Sequence, residues 1–172
     1  MWDAGNVSCK VGILTHPIVQ EDIESIFKVY SGEAIMRRKF NPNRRIRDNV
    51  DSEMRERLNQ RVVYGGNPEH KRNPGDFGLS PTAAPRPDKT LCDAVSIFSR
   101  GEAERLLKSG IVKGLVSEQV RGDYPQNVWA VTDAGDPLEA QLENQNLGIY
   151  HGYPMSETDP FREIVLERWR KS

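Results

Sequence analysis

Cysteine is nearly absent from this sequence. Two of its 172 residues are cysteine. Cys9 and Cys92 lie far apart and outside any Cys-x-x-Cys, so neither a disulfide framework nor a structural zinc site is expected. Free thiols suit a reducing compartment, and a cytoplasmic location is the expectation. Histidine is almost as scarce, with three copies. His16, His70 and His151 show no metal-ligand spacing, so no metal and no other cofactor is expected. No apolar run reaches the roughly 18 residues that span a bilayer. The start, Met-Trp-Asp-Ala-Gly-Asn, lacks the basic and apolar regions of a signal peptide, so no membrane partner is expected either. Gly-x-Gly-x-x-Gly, a P-loop, Gly-x-Ser-x-Gly and His-Glu-x-x-His are all missing, which argues against the chemistries they serve. Asp76-Phe-Gly matches a kinase tripeptide, but the lysine and catalytic-loop context is not there.

An excess of one charge is lacking too. The formal net charge is −1, so bulk charge names no partner. Its distribution is more informative. Arg37, Arg38, Lys39, Arg44, Arg45 and Arg47 form a run without an acid, and the last quarter is acidic. Such asymmetry suits a basic face for a polyanion, with Arg44, Arg45 and Arg47 as phosphate contacts; the plain alternative is a solvated arginine face. Apolar residues make up 37% of the chain. Its length fits one domain with an extension or two small domains.

What is abundant is punctuation between Tyr64 and Lys89. Gly65, Gly66, Gly75 and Gly78 alternate there with Pro68, Pro74, Pro81, Pro85 and Pro87, which excludes a long helix and argues against a central strand. Loops this long in compact chains are usually functional or disordered. This one carries His70, Lys71, Arg72, Asp76 and Lys89, and Phe77 could anchor it to a core. The chain therefore divides into a basic, helical region over 1–63, a functional loop over 64–90, and a third part over 91–172.

In the first part a short strand around Val11 is an option. A helix follows Thr15-His16-Pro17, Asn41-Pro42-Asn43 turns, and Asp51-Ser52 caps a helix with Met54, Leu58 and Val62 on one face and Arg55 toward water. In the third part Ser99-Arg-Gly-Glu102 has capping-box spacing, and Gly110 is a plausible helix stop. Asn127–Thr132 reads as a strand, Leu138–Leu142 alternates as a half-buried strand, and Ile149–Tyr153 is a short aromatic strand. A last helix follows Thr158-Asp159-Pro160, with Phe161, Val165 and Trp169 on one face. Short turns favour an antiparallel meander over 115–153. The fold class is α+β, a small antiparallel sheet with flanking helices.

Few residues can carry chemistry. His70 and His151 lie in glycine- and proline-rich surroundings, and Gly152 beside His151 would let a ligand approach closely. Two imidazoles with Lys71, Arg72 and Lys89 suit phosphodiester cleavage: one takes the 2′-hydroxyl proton, another or a lysine protonates the leaving oxygen, and cations offset the developing charge. Tyr150, Tyr153 and Trp129 could stack on unpaired bases. The plain alternative has His151 bonded to a turn and the tyrosines in the core. Glu139 and Glu143 read as a solvent face.

His-Lys-Arg-Asn-Pro-Gly-Asp-Phe-Gly-Leu, followed by a helix and a small sheet, resembles the tRNA-cleaving domain of colicin D and the wider group of small RelE- and barnase-like ribonuclease toxins. The resemblance covers roughly residues 64–155. It implies a metal-independent ribonuclease with RNA as partner and an inhibitory protein as a second one. His70 becomes the acid–base group, with Lys71 and Arg72 on phosphate. A second stretch, Glu104–Ser117 followed by Val-Trp-Ala-Val-Thr-Asp-Ala-Gly135, is similar to winged-helix regulators, which implies DNA binding and a helix at 137–146. A non-catalytic interaction module, its loop docking a partner, is the third reading.

Overall fold

The computed structural model describes residues 40–172. The helix expected after His16, the strand around Val11, and Arg37–Lys39 lie outside the described residues. Helix α1 spans Ser52–Arg61. Asp51 caps it, its Oδ1 accepting the Met54 amide at 2.7 Å, which satisfies one of the free amides of the first turn. Leu58 and Val62 are buried from this segment. Arg55 does not face water as expected: its guanidinium donates to the carbonyls of Val50 and Val112.

The chain then enters strand β1 (Val63–Tyr64) and crosses the proline loop through two short 3₁₀ turns, Pro68–His70 and Pro74–Phe77. Phe77 is the expected anchor. It is buried and meets the Tyr64 ring edge-on at 5.9 Å. A third 3₁₀ turn, Cys92–Val95, precedes helix α2 (Arg100–Val112). Ser99 Oγ accepts the Glu102 amide, as capping-box spacing predicts. The stop is not Gly110. That residue lies inside the helix because the helix crosses the sheet there, and a Cβ would sit 2.2 Å from the Trp129 carbonyl oxygen. Gly114, at φ +77°, supplies the left-handed residue instead.

Strands β2 (Val120–Arg121) and β3 (Tyr124–Pro125) make a small hairpin. Strands β4 (Asn127–Val131), β5 (Pro137–Asn144) and β6 (Ile149–Pro154) form the expected antiparallel meander. The sheet they build is mixed, because β1 joins it parallel to β6, giving the order β1-β6-β5-β4. A hairpin cannot deliver a parallel strand; here the loop, α2 and the meander form the crossover. Helix α3 (Phe161–Lys171) closes the chain. The class is α+β. Among the described residues no helix is long and apolar enough to cross a membrane.

Strand alternation gives the sheet two unlike faces. Val128, Ala130, Leu138, Ala140, Leu142 and Tyr150 belong to the apolar cluster that includes Leu106, Leu107 and Ile111 of α2. On the opposite face, Trp129 and Val131 pack against Phe161 and Val165 of α3. The remainder of that second face is polar: Asn127, Glu139, Gln141, Glu143, His151 and Tyr153.

Candidate active site

The proline loop delivers His70 to the polar face. The ring of His70 stacks on Tyr153 with centroids 4.7 Å apart, and lies 6.3 Å from the His151 ring at an interplanar angle of 15°. Gln141 faces His151, and Glu139 faces Tyr153, across the β5–β6 ladder. A loop and a strand far apart in sequence thus place two imidazoles within the span of one substrate group.

The two histidines differ. His70 is buried, and its Nδ1 donates to the Thr90 carbonyl at 2.7 Å, because a carbonyl oxygen can only accept. Burial pushes its pKa down to about 4; the Thr90 bond works the other way, and the nearby Lys89 cation lowers it further. At neutral pH it is a neutral, fixed ring and not the proton donor that acid–base symmetry would ask for. His151 is partly exposed, with its Nδ1 3.7 Å from a Glu143 carboxylate oxygen. That Nδ1 is buried and has no hydrogen-bond partner. Burial lowers the His151 pKa, the Glu143 carboxylate pulls it upward, and Lys89 lowers it. Lys89 is thus the cation that acts on both rings.

His70 makes stability pH-dependent with a definite sign. Between the ordinary histidine value near 6.5 and about 4, the unfolded chain binds a proton that the folded chain refuses, so stability falls as pH falls through that window. Roughly 3 kcal/mol is lost between pH 7 and pH 4 from this group. Urea unfolding of His70→Phe, which keeps a ring against Tyr153 but cannot titrate, is expected to show a flatter pH dependence than wild type.

Several expected contacts are assigned otherwise by the structure. The Lys71 side chain is fully buried, its Nζ donating to Asp93 at 3.0 Å and to the Ile97 carbonyl at 3.2 Å. It also lies 4.6 Å from the Phe77 ring centroid. Asp93 in turn accepts the Arg72 amide. Lys71 therefore staples the loop to the Cys92–Val95 turn, and its fully buried ammonium is out of reach of a phosphate in solution. Lys71→Met is expected to cost about 2–3 kcal/mol, the worth of hydrogen bonds to a buried charge, as read by thermal or chemical unfolding. Asp93→Ala should match it within a double-mutant cycle.

Arg44 is also buried. It bonds Glu139 at 2.5 Å and both Asp159 oxygens, at 2.6 and 2.9 Å, so it is an internal tie and not a phosphate contact. Arg45 is exposed and donates to the carbonyls of Pro42 and Arg44. Arg47 is half-buried against Met54. Tyr150 and Trp129 are fully buried, Tyr150 donating to the Pro125 carbonyl and Trp129 to Glu139, so neither can stack on a base. Tyr153 stays half-buried. Its hydroxyl donates to Glu139, accepts from Gln141, and is held protonated by burial and by that carboxylate. Gly152 turns to the apolar face, where the Tyr64 ring fills the space expected for a ligand. Arg72 is exposed and Lys89 half-exposed on the loop.

Glu139 corrects the solvent-face reading. It is 2% exposed and accepts from Arg44, Asn127, Trp129, Gln141 and Tyr153. Glu143 is exposed, as the solvent-face reading expects, but its carboxylate also lies beside the His151 ring. It occupies the same face as Glu139, Gln141 and His151, a phase that strand alternation carries but that does not by itself mark a site. Among the described residues no group of three His, Cys, Asp or Glu side chains could hold a metal ion. Pro137–Asn144 is a strand and not the helix that the winged-helix resemblance implies. No family model, curated protein or solved structure matches the chain.

Proposed function

We propose that this protein is a metal-independent ribonuclease in which His151 is the general base. The observation that carries the reading is the convergence of His151, His70 and Tyr153 on the polar sheet face, with Glu143 at the His151 Nδ1 and Lys89 acting on both imidazoles. With its proton on Nδ1, toward Glu143, neutral His151 keeps a lone pair on Nε2. That nitrogen takes the proton of a ribose 2′-hydroxyl. The 2′-oxygen forms a bond to phosphorus, the bond from phosphorus to the 5′-oxygen breaks, and the Lys89 ammonium protonates the leaving oxygen. Glu143 stabilises the imidazolium that results. His70 acts as a positioning residue, its ring fixed by Thr90 and Tyr153.

The experiment incubates the full chain with total tRNA, a synthetic RNA and duplex DNA, with and without EDTA. Cleavage of RNA alone, undiminished by chelator, is expected. Intact RNA together with tight binding of duplex DNA would replace this reading with a DNA-binding one, and neither activity would leave an interaction module.

A further inference from the structure

We propose that the proline-walled groove beside the two imidazoles is a binding subsite for a nucleotide flanking the cleaved bond, which makes unpaired RNA the substrate class. The inference rests on the ribonuclease reading and extends it to residues outside the histidine pair.

The groove measures about 290 Å³ and is walled by five prolines, among them Pro68, Pro81 and Pro87. That is near the roughly 300 Å³ lower bound of small-ligand clefts. Proline walls hold their shape because φ is fixed, and they offer flat apolar surface without an amide donor. A base released from its stack can lie on such a wall, whereas a base held in a duplex cannot reach it.

The floor and rim carry charge. Lys71 lines the groove but is committed to Asp93. Arg72, Arg86 and Lys89 remain, facing one lining carboxylate, Glu69. Asp88 adds a negative charge felt by Arg86. The Arg86 guanidinium bonds both Glu69 oxygens, and Lys89 lies 4.0 Å from one of them. Glu69 thus occupies the place where a phosphate would meet the same two cations, a planar fork suited equally to either anion. Its side chain is 19% exposed and that of Arg86 is 59% exposed, so the pair can open toward solvent. Lys89 links the two regions: it lines the groove, and its charge lowers the pKa of both imidazoles. Glu69 immediately precedes His70 in the chain, so the groove and the ring share one short 3₁₀ turn.

The test measures binding of a fluorescent 2′-O-methyl RNA pentamer, which cannot be cleaved, to wild type, Arg86→Ala and Glu69→Gln across a salt series. Cleavage of an RNA dinucleotide and pentamer is measured in parallel. Arg86→Ala should bind the pentamer about tenfold more weakly, and its slope of log affinity against log salt should shrink by about 0.7, the share of one single-strand phosphate. Glu69→Gln should bind more tightly. The ratio of kcat/KM for pentamer over dinucleotide should fall in Arg86→Ala, and duplex RNA should compete poorly. Equal affinity and equal salt slope in wild type and Arg86→Ala would overturn the subsite, while dinucleotide cleavage would still support the ribonuclease reading. Failure to cleave either RNA would overturn that reading, and Arg86-dependent binding of the pentamer would then support the groove alone.

Discussion

Arg44→Met is expected to remove roughly 3–5 kcal/mol of stability at neutral pH, the usual result of deleting one partner of a buried ion pair. Domains are stable by only about 5–15 kcal/mol, so this loss is a large fraction of the whole. The asymmetry of the cluster explains why arginine is its weakest point. One guanidinium serves two carboxylates, Glu139 and Asp159, which are 2% and 5% exposed. Glu139 keeps four neutral donors if Arg44 is lost, from Asn127, Trp129, Gln141 and Tyr153. Asp159 keeps the Phe161 amide. Neither keeps a countercharge within the cluster. Chemical unfolding of wild type and Arg44→Met at pH 7.5 reads the deficit, and equal stability of the two would contradict it.

His151→Ala is expected to slow RNA cleavage by roughly 10²–10⁴-fold, the worth of a positioned proton carrier. The loss should fall on kcat, because the imidazole acts on the reacting proton and not on uniform binding of the strand. The pH profile distinguishes this role from a structural one. Cleavage should rise with pH through a limb set by His151, and that limb should lie below the ordinary 6.5 because burial lowers the group. Glu143→Gln removes the carboxylate that pulls the value up, so it should move the limb further to acid while lowering the rate. Two groups titrating near neutrality would give a bell centred there. His70, near 4, cannot supply the second limb in that range. Single-turnover rates from pH 4.5 to 9 on wild type, His151→Ala and Glu143→Gln check all three statements.

Much of the fold was legible because local rules decided it. Asp51 and Ser99 cap where their spacing says, and alternation between Leu138 and Leu142 marks β5. The meander follows from short turns. The parallel pairing of β1 was not legible, since two residues carry no periodicity and their partner lies beyond the whole crossover. Gly110 reads as a stop locally but is small because α2 crosses the backbone at Trp129. For the site, His70 and His151 stood out by their surroundings, and the structure brings their rings together. Charge identity misled where burial decides. Lys71, Arg44 and Glu139 read as solvent-facing or phosphate-facing groups and are buried in reciprocal pairs. Nothing in the sequence near Lys71 names Asp93 as its partner; only the folded loop does. Glu143 is exposed as read, but its place beside His151 is set only by the fold of the neighbouring strand.

The most direct measurement is the fate of the 2′-oxygen. A defined RNA is digested with the full chain, and the new ends are resolved by mass spectrometry, alongside the same oligonucleotide carrying a single 2′-O-methyl at the cut. The account predicts a 2′,3′-cyclic phosphate and a free 5′-hydroxyl, no cut at the methylated position, and formation of both products slowed by roughly 10²–10⁴-fold in His151→Ala. A 5′-phosphate end, or cleavage that survives 2′-methylation, would contradict it.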